Sequence, residues 1–312
     1  MFEDIRYKLA KKKLSTKTTS VEQRKFISSF SAPLSHRLLC YWITNQDLNL
    51  KNPVTFNDKI RYMMLWVHGD KETELADKYL VRNYLKKKGL EKLAPKVYGV
   101  YNSVDEIDPK TLPSRFVLKC NHGCGKIQFC EQKKRFDFDS AKRALADALA
   151  EDYATFLLEP HYHNIKRKII CEEFLPCKSG SLPKDYKFYC YDGKVECVLV
   201  CSERAKKLRL DYYDLDWNYL PYAKPSYRLG KKIPKPKHLD EMVKIATKLS
   251  KGFPFVRVDL YDFDDGIRFS ELTFTPAAGA VPYNTDEALT YLGSLIKLPP
   301  KKHEPSQVRL SY

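Results

Sequence analysis

Hydrophobic residues along this chain recur first at helical and then at strand spacing, and the change comes near residue 95. Ahead of it, Phe2, Ile5, Leu9 and Leu14 predict a short, basic, amphipathic helix, and a further helical segment follows over 34–43. The stripe Ile60, Met63, Met64 and Val67 predicts a helix over 56–67; another is expected over 74–88, closed by Gly89. Beyond residue 95, strands are expected over 116–120 and 127–130, with the turn-rich Asn121-His122-Gly123-Cys124-Gly125 between them. Asp139-Ser140 opens a helix running to about 158, with Ala144, Leu145, Ala148 and Leu149 inward. Strands follow over 168–174, 186–191 and 195–201, the last two joined at Asp192-Gly193, a hairpin signal. The Pro- and Lys-rich stretch 221–237 reads as an exposed loop. Asp240 then caps a helix with Met242, Ile245, Ala246 and Leu249 on one face, and strands over 255–261 and 267–274 complete an α+β pattern without repeats.

The last two strands carry the most chemistry. Alternation puts Val256, Val258 and Leu260 on one face and Arg257, Asp259 and Tyr261 on the other. Asp264-Asp265-Gly266 suits a three-residue hairpin loop, and that register pairs Phe263 with Ile267, Asp259 with Glu271 and Arg257 with Thr273. Two carboxylates facing each other need a cation between them, either a salt-bridging Arg257 or a hard ion such as Mg²⁺.

An Arg-x-Asp strand, a hairpin, then a glutamate ahead of a Pro- and Gly-bearing turn resembles the metal hairpin of ATP-grasp ligases such as D-alanine–D-alanine ligase. Arg257-Val258-Asp259, Glu271-Leu272-Thr273-Phe274-Thr275-Pro276 and Ala278-Gly279 carry the likeness. It implies an ATP-grasp fold, two β-rich lobes with flanking helices clasping ATP. It also implies that Asp259, Glu271 and Thr273 hold Mg²⁺ and that Arg257 stabilises the transferring phosphoryl group. Most such ligases carry Asn where Thr273 stands, and a hydroxyl reaches Mg²⁺ directly or through water.

The remaining motifs fall in the same order. Lys119 ends a strand like the one whose lysine meets the nucleotide phosphates, and Asn121, Gly123 and Gly125 resemble the closing glycine-rich loop. Glu172, Glu173 and Phe174 resemble the hinge that reads adenine, while Asp185 would hold ribose, and Lys187 and Arg204 phosphate or acyl phosphate. From about Pro53 the chain resembles the TupA-like family, associated with teichuronopeptide and capsule biosynthesis. Thr55-Phe56-Asn57-Asp58-Lys59, Ala76-Asp77-Lys78-Tyr79-Leu80-Val81-Arg82 and Asp211-Tyr212-Tyr213-Asp214-Leu215-Asp216-Trp217 add to the motifs above, with Lys78 as an earlier nucleotide-facing lysine. The expected division is a helical region 1–90, a small lobe 91–167, a large lobe 168–300 and a tail 301–312.

Composition narrows the setting. The 312 residues are 43% hydrophobic and 13% aromatic, as in a globular protein, and no apolar run approaches the roughly 20 residues that span a bilayer. Met1-Phe2-Glu3-Asp4 lacks the order of a secretory signal, and nine scattered cysteines without a second metal knuckle suit reduced thiols in the cytoplasm. The net charge of +16 lies partly in clusters at 11–13, 86–88, 206–207 and 231–237 without any nucleic-acid-binding motif, so acidic substrates near a membrane are expected, not nucleic acid. The resemblance implies a carboxylate–amine ligase working through an acyl phosphate on a uronic acid of a surface polysaccharide, with an amino acid or other amine as partner. The alternatives are a kinase on the same scaffold and a glycosyltransferase or accessory protein of polysaccharide assembly. A cytoplasmic enzyme, peripheral to the inner membrane face, is the corresponding location.

Overall fold

The computed structural model describes residues 2–175, 184–202 and 208–311, with residues 2 and 3 described by backbone only. Helices α1 (Phe2–Leu14), α2 (Ser20–Ser28), α3 (Ala32–Thr44), α4 (Phe56–Trp66), α5 (Asp70–Ala76) and α6 (Val81–Lys87) come first. Strands β1 (Val97–Tyr101), β2 (Phe116–Cys120) and β3 (Gln128–Cys130), helices α7 (Phe138–Ala150) and α8 (Ala154–Leu157), and strand β4 (Ile169–Glu172) build the smaller lobe. The larger contains β5 (Asp185–Tyr191), β6 (Lys194–Ser202), β7 (Arg209–Tyr213), β8 (Tyr219–Leu220), α9 (Leu239–Ser250), β9 (Val256–Phe263), β10 (Gly266–Thr273) and α10 (Asp286–Ser294).

Two antiparallel sheets result, one ordered β1-β4-β2-β3 and the other β10-β9-β5-β6-β7-β8. The larger sheet is covered on both faces. Phe188, Val198, Val258 and Leu260 pack under the stripe of α9, whose Met242, Ile245, Ala246 and Leu249 are all buried. On the opposite face, Tyr189, Tyr191, Leu199 and Phe255 pack with α4 and α10. That second face changes character along β5: Tyr189 and Tyr191 are core, whereas Asp185 and Lys187, two residues apart on the same side, are charged.

Local chemistry sets several boundaries. Thr55 and Asp58 cap α4 reciprocally, and Asn57 Oδ1 accepts the N–H of Val281, so the Thr55 to Lys59 motif works as a cap and a tie. The expected helix over 74–88 is broken. Asp77 Oδ1 accepts the N–H groups of Tyr79 and Leu80, a local turn that competes with continued helix between α5 and α6. The helix expected to reach 158 starts at the Asp137 cap and stops at Ala150. In α9 the first helical residue is Leu239, ahead of Asp240. The face of α1 also differs: Tyr7, Ala10 and Leu14 are buried, while Ile5 and Leu9 are exposed. The strand assigned to the large lobe at 168–174 is β4, a central strand of the small sheet. Strands β1, β7 and β8 and helix α10 lacked a strong periodic signal.

Candidate functional site

The charged face of the large sheet is fixed by register. Asp259 on β9 stands opposite Lys187 on β5 and Glu271 on β10; one row along, Arg257 stands opposite Tyr189 and Thr273. The turn is one residue tighter than the sequence suggests, since Gly266 itself pairs with Phe263 and Ile267 with Asp262. Ser270 then has no partner between the Phe269–Leu260 and Glu271–Asp259 pairs. This β-bulge restores the Asp259–Glu271 and Arg257–Thr273 pairings, and it lets Phe269 and Leu272 both reach the core while Glu271 faces the site.

Ion pairs link these side chains continuously. Arg257 donates through Nε and Nη2 to Asp259 Oδ1 and Oδ2, both at 2.7 Å. Lys187 Nζ lies 2.5 Å from both Asp259 Oδ2 and Asp185 Oδ2. Thr273 Oγ1 accepts from Arg257 at 3.0 Å and donates to Glu271 Oε1 at 3.2 Å. Asp259 is fully buried, and burial is the main cause raising its carboxyl, against Arg257 and Lys187. Burial likewise opposes the Lys187 ammonium, yet Asp259 and Asp185 hold it above the usual lysine range. For Glu271, burial is outweighed by Lys78, Lys187 and Arg257 together, and the carboxyl is held down at about 2. Its side chain remains 28% exposed, so an ionised carboxylate faces the open side of the row.

Lys78 joins this row to the small lobe. Its Nζ donates to the Gly123 carbonyl at 2.5 Å and lies 3.5 Å from Glu271 Oε2. The α5–α6 turn holds it there, and Asn121 holds the turn: Asn121 Nδ2 donates to Asp77 Oδ2 and to the Lys166 carbonyl, and Oδ1 accepts from Lys168 N–H. Asn121 also receives the Lys78 N–H on its carbonyl and is completely buried. The resemblance expects Asn121 beside the nucleotide; here its side chain faces Asp77 and the Lys166–Lys168 segment. Its polar groups are consumed in positioning Lys78. The glycine loop beyond it is rooted by His122 against the Glu151 carbonyl and by Lys126 against Glu151, with its tip at 124–127 exposed. Gly123 has φ +71°, and a Cβ there would lie 2.3 Å from the Tyr153 ring. Only glycine meets both demands.

Lys119 points from β2 to Glu172 of β4, Nζ to Oε2 at 2.5 Å, with Arg82 at 3.9 Å on the other oxygen. Glu172, assigned by resemblance to the adenine hinge, is thus the buried counter-ion of Lys119. The Glu173 N–H is bonded to the Lys96 carbonyl, and Phe174 stands by Arg115 and Phe129. Asp185, expected at the ribose, pairs with Lys187. Arg204 lies outside the described residues.

Two further features border the row. Glu159, buried after α8, accepts from Thr275 Oγ1 at 2.5 Å; burial pushes its carboxyl up to about 7. Ala277, Ala278 and Gly279, following the hairpin, have φ +47°, +53° and +63°, costly for the alanines, and a Cβ on Gly279 would crowd Ile60. A lone buried acid gives no periodic signal, but Pro276 before a Gly-ending turn is one.

An oxygen-only donor set, Glu271 at the open side with Thr273 and Asp259 buried behind it, suits a hard divalent cation. Both Asp259 oxygens carry Arg257 and Lys187 in this structure. Among the described residues no cluster of three or more acidic, His or Cys side chains forms a ready-made metal cage. Mg²⁺ commonly takes only one or two carboxylates with phosphate oxygens.

A four-stranded and a six-stranded antiparallel sheet, meeting at a glycine loop and an Arg-x-Asp/Glu hairpin, describe the ATP-grasp class. Residues 58–297 match the model of the TupA-like ATP-grasp family, and the chain belongs to that family. No curated protein matches it. Among solved structures it is similar to the ATP-grasp ligase PsnB complexed with a minimal precursor, at 15% identity and TM-score 0.40 over 73% of this chain and 62% of that one. It is also similar to D-alanine–D-alanine ligase from Bacillus anthracis complexed with ATP, at 14% identity and TM-score 0.43 over 72% and 65%. The same enzyme from Helicobacter pylori gives 14% and 0.40 over 73% and 60%. The chain spans less than two thirds of each of these proteins.

Proposed function

We propose that this protein is an ATP-dependent carboxylate–amine ligase that forms an amide through an acyl phosphate. The observation that carries the reading is the continuous row Lys187–Asp259–Arg257–Thr273–Glu271, joined through Lys78 to the glycine loop. When bound, MgATP would supply the phosphoryl group that activates the acid. Glu271 and Thr273 would hold the Mg²⁺, with Asp259 completing the shell. Lys78, Lys119, Gly123 and Gly125 would contact the phosphates. Arg257 and Lys187, already desolvated and oriented by Asp259 and Asp185, would meet the charge that develops on the transferring group without reorganising, and Arg204 would join them. Glu173 and Phe174 would flank the adenine.

The acid we assign to a uronic acid of a surface polysaccharide or its precursor, with an amino acid or other amine as attacking group, in the cytoplasm. Family membership and the net charge of +16 support an anionic acceptor. The test is purified protein with MgATP, screened over uronic acids against amines. ADP and phosphate release that requires both partners supports the ligase. A stable phosphorylated product without amine would make it a kinase, and transfer from a nucleotide sugar without ATP would make it a glycosyltransferase.

A further inference from the structure

Helix α1 packs with the face opposite to the one its sequence advertises. Tyr7, Ala10 and Leu14 are 3%, 5% and 2% exposed, in one cluster with Ile27, Leu34 and Leu38. Tyr7 and Lys11 both bond Asp47, and Arg37 pairs with Asp4, which fixes the helix rotation. Ile5 and Leu9 are consequently turned outward, 50% and 65% exposed. At 3.6 residues per turn, Lys8 and Lys12 flank that stripe on one side and Arg6 and Lys13 on the other. Among the described residues none of these four cations is paired with a carboxylate.

We propose that α1 lies on an anionic lipid bilayer, with Ile5 and Leu9 inserted at the headgroup level and Arg6, Lys8, Lys12 and Lys13 on lipid phosphates. Charge complementarity selects an anionic partner, and the apolar centre of the stripe selects a bilayer over a soluble polyanion, which offers no apolar phase to a leucine. Among the described residues no helix is long and apolar enough to cross a membrane, so this contact is a surface one. It is independent of the ligase reading, because it is measured without ATP or acceptor.

The test is co-sedimentation of the full chain with vesicles of phosphatidylglycerol and phosphatidylcholine, of phosphatidylcholine alone, and with soluble polygalacturonate. Binding is expected to the anionic vesicles only, weakening as salt shortens the Debye length from about 10 Å at 0.1 M to about 3 Å at 1 M. The Ile5→Asn/Leu9→Asn double variant should bind those vesicles roughly tenfold more weakly with an unchanged melting temperature, since both side chains already face water. Lys8→Glu/Lys12→Glu should bind less and lose most of the salt dependence. A Leu9→Trp variant should show blue-shifted emission with anionic vesicles. Equal binding by wild type and Ile5→Asn/Leu9→Asn, binding to polygalacturonate but not vesicles, or no binding to either would each overturn the proposal.

Discussion

Asp259 and Glu271 are direct cross-strand partners because Ser270 bulges out of β10 one step before they meet. Were Ser270 paired in a regular ladder instead, the tight turn at 264–265 would set Ser270 opposite Asp259 and would turn Glu271 to the core side of the sheet. Deleting Ser270 removes the extra residue and leaves Phe269, Glu271 and Leu272 in regular alternation opposite Leu260, Asp259 and Val258, so the variant should fold and keep ATP turnover within about tenfold. Denaturant unfolding together with ADP release measures both. A deletion variant that folds but has lost ATP turnover would mean that the bulge at Ser270 does more than set this register.

The two carboxylates should separate in mutagenesis. Glu271→Gln removes a partly exposed anion whose cations can turn to water, so it should cost less stability than loss of Asp259 while ADP formation falls by about 10²- to 10³-fold and its Mg²⁺ requirement rises. Asp259→Asn leaves Arg257 and Lys187 buried against a neutral group, and should cost about 3–5 kcal/mol of stability as well as activity. Urea unfolding beside a Mg²⁺ titration distinguishes them. Equal stability losses would place both groups in one structural role.

Much of the hairpin chemistry was legible because strand alternation sorts faces from local pattern alone: Arg257, Asp259 and Tyr261 separate from Val256, Val258 and Leu260 on spacing. The helical stripes of α4 and α9 were legible for the same reason. What escaped depends on partners distant in sequence. The bulge at Ser270 answers to the core on one face and the site on the other, and its expected pairing survived only because the tighter turn and the bulge offset each other. Asn121 reads as a loop residue, yet Asp77, Lys166 and Lys168 converge on it from two other segments. The rotation of α1 likewise depends on a distant partner, since Tyr7, with a hydroxyl that reaches Asp47, anchors the packed face and leaves Ile5 and Leu9 outside.

Asn121 should behave as a positioning residue. Asn121→Ala strands the buried Asp77 carboxylate and two backbone groups, costing about 1–3 kcal/mol, and frees the turn that carries Lys78. The KM for ATP should rise by more than kcat falls. Lys78→Met should raise KM without a comparable stability loss. If Asn121→Ala leaves both KM and stability unchanged, the bracket carries no functional weight.

The glycine loop makes a similar distinction. Gly123→Ala must strain at φ +71° and push against Tyr153, whereas Gly125→Ala at φ +82° meets nothing within 4 Å and bears only the backbone cost, about 1–2 kcal/mol. The Gly123 variant should therefore bind ATP more weakly than the Gly125 variant, and Tyr153→Ala should recover part of the difference. Hydrogen exchange over 122–126 should slow when MgATP binds. Protection confined to other segments would remove the loop from the phosphate site.

Glu159 and Glu271 should pull the pH dependence of stability in opposite directions. The Glu159 carboxyl is raised from an ordinary 4.5 to about 7, chiefly by burial, so the folded state holds its proton more tightly than the unfolded state. Its contribution is fully present below about pH 4.5 and is lost as pH rises to about 7, roughly 3 kcal/mol in all. Glu271, held at about 2 by Lys78, Lys187 and Arg257 against burial, contributes above about pH 4.5, and that part is lost as pH falls toward 2. Urea unfolding from pH 3 to pH 8 should show both limbs. Glu159→Gln keeps a partner for the Thr275 hydroxyl and should flatten the fall between about pH 4.5 and pH 7, while Glu271→Gln should flatten only the acid limb. A Glu159→Gln profile that still falls over that interval would assign the loss to another group.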